Sequence, residues 1–250
     1  MEAKVAEQQL EIRTPDGTSD GVLLTSDDGR RLPGVIFYTD IGGIRPSQRQ
    51  MAGRLAAEGY TVLLPNLFYR TGRLPVWHFP MEFGEPATTQ RLGELTGPLR
   101  PEATERDASA YLDFLAGQES VKDAPMGVVG LCFSGALAVR TAAARPERVA
   151  AVASFHGGRL YTDDPASPHL ALPRIKARLY FGHANDDKSM PQEAIEKLNQ
   201  ALESWGGWYE SDVYEGAHHG WTVPDNPAYN QPQAERAFEK LRELFAGALK

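Results

Sequence analysis

The 250-residue chain holds one cysteine, Cys132, set in "GVVGLCFSGALAV" (127–139). An apolar run enters this stretch and an alanine-rich run leaves it, with Gly130, Ser134 and Gly135 close to the thiol. A strand that hands over sharply to a helix needs such small neighbours. The pattern is that of a nucleophile elbow, G-x-Nuc-x-G, with Cys in place of the usual Ser and Ser134 at the last small position. The N-terminus of the following helix offers free N–H groups and partial positive charge, which favour a thiolate and an oxyanion. A buried structural thiol fits this stretch by itself equally well, because free cysteines are among the most buried residues.

Catalysis by a thiol also needs a base and a group that orients the base. "ANDDKSMP" (184–191) offers Asp186 and Asp187, and "GAHHGW" (216–221) offers His218 and His219. Each follows a strand-like run, and nucleophile, acid and His come in the order that elbow enzymes use. Three such features on one sheet edge favour a catalytic thiol over a structural one. An oxyanion hole needs one donor from the residue after the nucleophile, here Phe133. The second comes from an earlier strand end, where "TDIGG" (39–43) makes Ile41 the candidate. A zinc site from Cys132, His218 and His219 is disfavoured, since adjacent histidines on one loop are poorly placed as ligands. Neither a metal nor a cofactor is expected.

The elements that must position these residues alternate along the chain. Strand-like runs at 34–39, 60–65, 126–131, 148–155, 177–183 and 208–215 are separated by helical patterns at 47–59, 101–117, 134–145, 191–204 and 232–247. That alternation predicts an α/β fold, a mostly parallel sheet with helices on both faces and ligands bound outside the carboxyl ends of the strands. "QLEIRT" and "GVLLTS", separated by "PDGTSD", predict an antiparallel hairpin at one sheet edge. Residues 66–100 carry Pro75, Pro80, Pro86 and Pro98, which predicts a loop or lid with short helical pieces. Its Trp77, His78, Phe79 and Phe83 would line or cap the pocket. With no composition break, residues 1–250 are expected to form one domain.

Composition narrows the partners. The chain is 42% hydrophobic and 24% charged, as an ordinary globular protein is. A net charge of -7 argues against nucleic acid and against a polybasic membrane anchor. No apolar stretch approaches the ~20 residues of a membrane span, and "MEAKVAEQQLEIR" lacks the apolar core of a signal peptide. One cysteine cannot close an internal disulfide, so a cytoplasmic monomer or homodimer acting on a small molecule is expected.

From about residue 20 onward, apart from an insertion-like region at 71–100, "YTDIGGI", "GYTVLLPNLFYR", "GLCFSGALA", "FGHANDDKSMP" and "GAHHGW" resemble the dienelactone hydrolase family, which carries the α/β-hydrolase fold with a Cys nucleophile. The resemblance implies an ester or lactone hydrolase with a Cys–His–Asp triad. It selects Cys132 as nucleophile and His219, followed by Gly220 and Trp221, as base. Asp187, four positions before Pro191, is selected as acid. It also implies that Asp40, where the family usually has Glu, positions the thiol. Dienelactone-cleaving members hold the substrate carboxylate with arginines, one of them shortly after the catalytic His. "WTVPDNPAYN" has none at that place. Arg70, Arg73, Arg91 and Arg100 are the candidates for the other, and Arg70, Trp77 and Trp221 are expected at the substrate pocket. The alternatives are a general carboxylesterase on the same fold and a noncatalytic or redox-sensing protein that uses Cys132.

Overall fold

Apolar residues at successive positions of a strand leave neither face of a sheet fit for water, so both faces must be covered. The computed structural model describes residues 4–26 and 29–250. In it β3 (Gly34–Tyr38), β4 (Thr61–Pro65) and β5 (Met126–Leu131) are buried at every residue. They form the middle of a sheet with β1 (Val5–Thr14), β2 (Gly17–Ser26), β6 (Val149–Phe155), β7 (Arg178–Ala184) and β8 (Tyr209–Tyr214). The order is β1-β2-β4-β3-β5-β6-β7-β8. The pairs from β4 to β8 are parallel, while β1–β2 and β2–β4 are antiparallel.

Among the described residues the α-helices are α1 (Pro46–Ala57), α2 (Pro86–Thr96), α3 (Pro101–Ala116), α4 (Ser134–Ala144), α5 (Gln192–Trp205) and α6 (Gln231–Leu249), of which α1, α3, α4 and α6 lie directly on the sheet. Alternate strand residues serve separate cores. Ile36, Leu63 and Val128 pack with Leu112, Ala138, Ala142 and Leu198 on one face. Val35, Val62 and Val129 pack with Leu55, Leu241 and Phe245 on the other. The fold is therefore the α/β arrangement expected, and among the described residues no helix is long and apolar enough to cross a membrane.

Strand order reverses beside β3: the chain moves from β3 to β4 on one side, then returns to place β5 on the other. Loops that leave the carboxyl ends of β3 and β5 consequently diverge and open a crevice between them, the switch point of an open α/β sheet. Asp40 and Ile41 leave one of these strands and Cys132 the other.

The expected edge hairpin is present, with one correction to its turn. The hairpin turn is Pro15–Asp16, because Thr14 pairs with Gly17 and the ladder runs on through Thr18, Ser19 and Asp20. These polar residues are consumed by partners beyond the hairpin. Buried Ser19 donates to the Asn66 carbonyl (3.0 Å), and the Asp20 carboxylate accepts from Asn66 Nδ2 and Leu74 N (both 2.8 Å). In 66–100 the expected helical piece is the 11-residue α2, which Pro86 begins, since a first-turn position needs no N–H.

The corner at the end of β5 leaves no space for added atoms. A Cβ built on Gly130 would lie 2.3 Å from the Ser134 carbonyl oxygen. Gly130→Ala should therefore destabilise the protein by about 1–3 kcal/mol through displacement of the β5–α4 backbone, read as a lower urea midpoint. An unchanged midpoint would mean that the corner is pliable.

Candidate active site

Cys132 occupies the β5–α4 corner with φ +59, in the left-handed region that a non-glycine residue enters only when its surroundings enforce it. Buried Ser134 supplies part of that enforcement. Its hydroxyl lies 2.8 Å from the Leu131 carbonyl and 3.0 Å from the Tyr38 carbonyl, and it accepts the Leu131 N–H at 2.9 Å. From the β6 side, the Cys132 N–H is shared between the Phe155 carbonyl (3.1 Å) and His156 Nδ1 (3.0 Å). Because Nδ1 accepts, Nε2 carries the His156 proton and donates to Thr222 Oγ1 at 2.8 Å. Burial, helped by the neighbouring His219, drives the His156 pKa well down and keeps the ring neutral.

His219 Nε2 lies 3.0 Å from Cys132 Sγ, and His219 Nδ1–H donates to Asp187 Oδ2. The other Asp187 oxygen accepts from Ser189 N (2.8 Å) and Ser189 Oγ (2.7 Å). Burial pushes the Asp187 carboxyl up, but the bonds from His219 and Ser189 prevail and hold it below its ordinary value. Burial likewise opposes a charged His219. The bonds and charges of Asp187 and Cys132 overcome that penalty and push its pKa up to about 10. The resting site thus favours an imidazolium beside sulfur, the environment in which a thiol acts as a nucleophile.

Asp186 and His218 form a second pair (2.7 Å) one residue earlier on both loops. Their side chains are 57% and 64% exposed, against 5% and 34% for Asp187 and His219, so only the latter pair faces the sulfur from inside.

A cavity of about 810 Å³ opens over Cys132, His156 and His219. Ile41 lines it, and Phe133 begins the turn into α4. Among the described residues, neither the Ile41 nor the Phe133 N–H has an acceptor within the chain, which leaves both free for an anionic oxygen. Trp77 lines the cavity and donates from Nε1 to the Ile41 carbonyl at 2.9 Å. Phe83 also reaches the lining, whereas His78 and Phe79 do not.

Three expected contributors sit differently. Asp40 lines the cavity, but its carboxylate is held by Arg45 (2.5 and 2.9 Å), Gly42 N (2.9 Å) and Gln48 Nε2 (3.2 Å), with no bond to Cys132. Arg70 is away from the cavity, paired with buried Asp107 on α3 and with Asp16 in the hairpin turn, all at 2.7 Å. Trp221 is fully buried, stacked on Tyr214 at 4.8 Å and set edge-on to His156 at 5.1 Å, behind the site. Arg73 and Arg91 are likewise engaged, with Glu11 and with Glu94 plus the Val76 carbonyl. Arg100 does not line the cavity.

Residues 19–249 match the Dienelactone hydrolase family. The chain belongs to that family. A carboxymethylenebutenolidase of Rhodococcus opacus is 29% identical over 93% of this chain and 88% of its own length. Among solved structures, a Klebsiella pneumoniae protein assigned as a dienelactone hydrolase superposes with TM-score 0.86 at 21% identity, covering 97% of this chain and 99% of that one. A dienelactone hydrolase-like promiscuous phosphotriesterase from metagenomic libraries gives 0.79 at 20% identity, covering 98% and 99%. Family and fold agree: the chain is a dienelactone hydrolase-like hydrolase with the α/β-hydrolase fold.

Sequence reasoning missed three residues of this site. His156 ends β6 in "SFHGG", on the same carboxyl edge as Cys132, so the rule that found Asp187 and His219 at strand ends would have found it too. Arg45, the N-cap residue of α1, and Asp225, in the loop beyond His219, give no comparable signal. Arg45 Nε and Nη2 each meet an Asp225 oxygen (2.8 and 2.9 Å) while the same guanidinium holds Asp40.

The inner and outer acid–histidine pairs should separate by mutation. Asp187→Asn is expected to lower kcat by ~10² or more by disturbing the His219 tautomer, with little loss of thermal stability, while Asp186→Asn stays within a few-fold of the parent. The reverse ranking in steady-state kinetics would move the acid to Asp186.

His219 also sets a pH window. In the folded protein Asp187 and Cys132 push the His219 pKa up to about 10, whereas an unfolded histidine releases its proton near ~6.5. The Asp187 share of this shift adds a proton to the folded state, whereas the Cys132 share only moves the thiol proton onto the ring, so unfolding free energy should fall as pH rises above ~6.5, by less than the full shift implies. His219→Gln should flatten that fall in denaturant titrations taken at several pH values. An identical slope in the variant would show that His219 is not the group responsible.

Proposed function

We propose that this dienelactone hydrolase-like protein cleaves carboxylic esters or lactones, with Cys132 as nucleophile, His219 as base and Asp187 as its orienting acid. The observation that carries this reading is the continuous relay from Asp187 through His219 to a sulfur 3.0 Å away, at the floor of a large cavity. The carboxymethylenebutenolidase name of the R. opacus relative supports the same reaction class.

In this reading Cys132 Sγ attacks the substrate carbonyl carbon, and the carbonyl electron pair moves onto oxygen. The N–H groups of Ile41 and Phe133 stabilise that oxyanion, where loss of one such donor typically costs about 3 kcal/mol. Collapse of the tetrahedral intermediate breaks the ester C–O bond, and His219 protonates the departing alkoxide. A thioester on Cys132 remains. Water then gives a proton to His219 and attacks the thioester, and sulfur leaves as the thiolate, releasing the carboxylic acid and restoring the thiolate–imidazolium pair. In a lactone both fragments leave as one hydroxy acid. Trp77 and its neighbours in 66–100 form the wall that keeps this chemistry away from bulk water. The reaction requires neither metal nor cofactor.

With one cysteine in the chain, labelling and activity refer to the same atom. One equivalent of iodoacetamide should abolish hydrolysis of aryl esters and lactones, a product carboxylate should slow the labelling, and Cys132→Ala should be inactive. Full labelling by mass spectrometry with activity retained would make Cys132 a structural thiol.

A further inference from the structure

We infer that the cavity is built for an uncharged acyl group, and that Asp225 is the residue that sets this preference. The inference rests on the esterase reading above and adds the substrate class. Apart from His219, the charged residues that line the cavity are Asp40, Arg45 and Asp225. Among the described residues no other Lys or Arg lines it, and of the arginines of 66–100, Arg70, Arg73 and Arg91 are paired with carboxylates.

Among the described residues, Arg45 is the one cation outside the relay that lines the cavity, and its donors are already taken, one of them by the Gly43 carbonyl at 3.3 Å. Nη1 and Nη2 hold Asp40 (2.5 and 2.9 Å), while Nε and Nη2 hold Asp225 (2.8 and 2.9 Å). A planar guanidinium in two such forks has no bidentate face left for a third anion. Two carboxylates against one guanidinium leave the cluster with net negative charge, so an anionic substrate meets repulsion instead of a partner. The remaining wall carries no further charge: Ile44, Val76, Trp77, Met81 and Phe83 line it, with the neutral amide of Asn226 beside Asp225.

The two carboxylates are not equivalent. The Asp40 side chain is 9% exposed and also holds Gly42 N and Gln48, so it is fixed in the loop. Asp225 is 46% exposed and is the half of the cluster that a substitution can remove without opening the core. Neutralising it brings the cluster to zero net charge and frees one side of Arg45.

The test compares p-nitrophenyl hexanoate with mono-p-nitrophenyl adipate, acyl groups of equal length that differ by a terminal carboxylate. Wild type should favour the hexanoate by ~10-fold or more in kcat/KM, and added salt should narrow the gap by screening. Asp225→Asn should raise the adipate-to-hexanoate ratio by ~10-fold, mainly through a lower KM for the adipate, and Asp225→Ser should do the same. Equal or better cleavage of the adipate by wild type overturns the inference, as does an unchanged ratio in both variants. The underlying reading fails in a different way. If neither ester is hydrolysed, or if hydrolysis survives Cys132→Ala, the esterase assignment falls and this inference falls with it.

Discussion

The hydroxyl of Ser134 is the joint on which the site depends. It bonds to both backbone groups of Leu131 and to the carbonyl of Tyr38, so it fastens the end of β5 to the end of β3 beneath the nucleophile. A corner that holds a cysteine at φ +59 is unfavourable in isolation. It persists because Ser134 below, Gly130 and Gly135 alongside, and the Phe155 carbonyl with His156 Nδ1 beyond all restrict the same few atoms. The result is a thiol whose direction is decided by the sheet and not by its own rotamer freedom. His219 and Asp187, carried by other strands of that sheet, can then meet it without searching.

Two charge networks flank the thiol, and they behave in opposite ways. The Asp187–His219 relay ends at an atom with room for a substrate, so its charge is available to chemistry. Arg45, Asp40 and Asp225 close on one another and line the cavity as a finished set. Each network has one carboxylate held where little water dilutes it, Asp187 at 5% and Asp40 at 9% exposed. Neutral His156 lies beside the first network, its ring 5.2 Å from that of His219. It supplies an acceptor to the Cys132 backbone without adding a competing cation.

How far the sequence could be read depends on how local each feature is. Buried parallel strands are short apolar runs, so β3, β4, β5, β6 and β7 lie within a residue or two of their expected places, and so does β8, a half-buried edge strand in which polar and apolar residues mix. Cys132, Asp187 and His219 could be proposed because each directly follows such a run. The hairpin turn was misjudged because Ser19 and Asp20 look like turn residues until their partners at Asn66 and Leu74 are known. Arg70 looked like a free cation in a proline-rich loop, yet Asp107 and Asp16 reach it from 37 and 54 residues away. Trp221 follows a histidine at the pocket, but the turn carries its ring beneath His156. The Arg45–Asp225 contact joins residues 180 apart and leaves no trace in composition or spacing.

The two acid–histidine pairs carry a consequence for how this protein can change. β7 and β8 run in parallel register through Ala184 and Tyr214, and Asn185 N–H then bonds to the Ala217 carbonyl (2.9 Å) before the pairs begin. Asp186 meets His218 and Asp187 meets His219, like successive teeth of two meshed gears. Insertion or loss of one residue in either loop would advance one gear by a tooth and offer the sulfur a mismatched partner. Drift in these loops must therefore proceed by substitution at constant length, or by paired changes in both, whereas the 66–100 wall can be lengthened or rebuilt without disturbing the mesh.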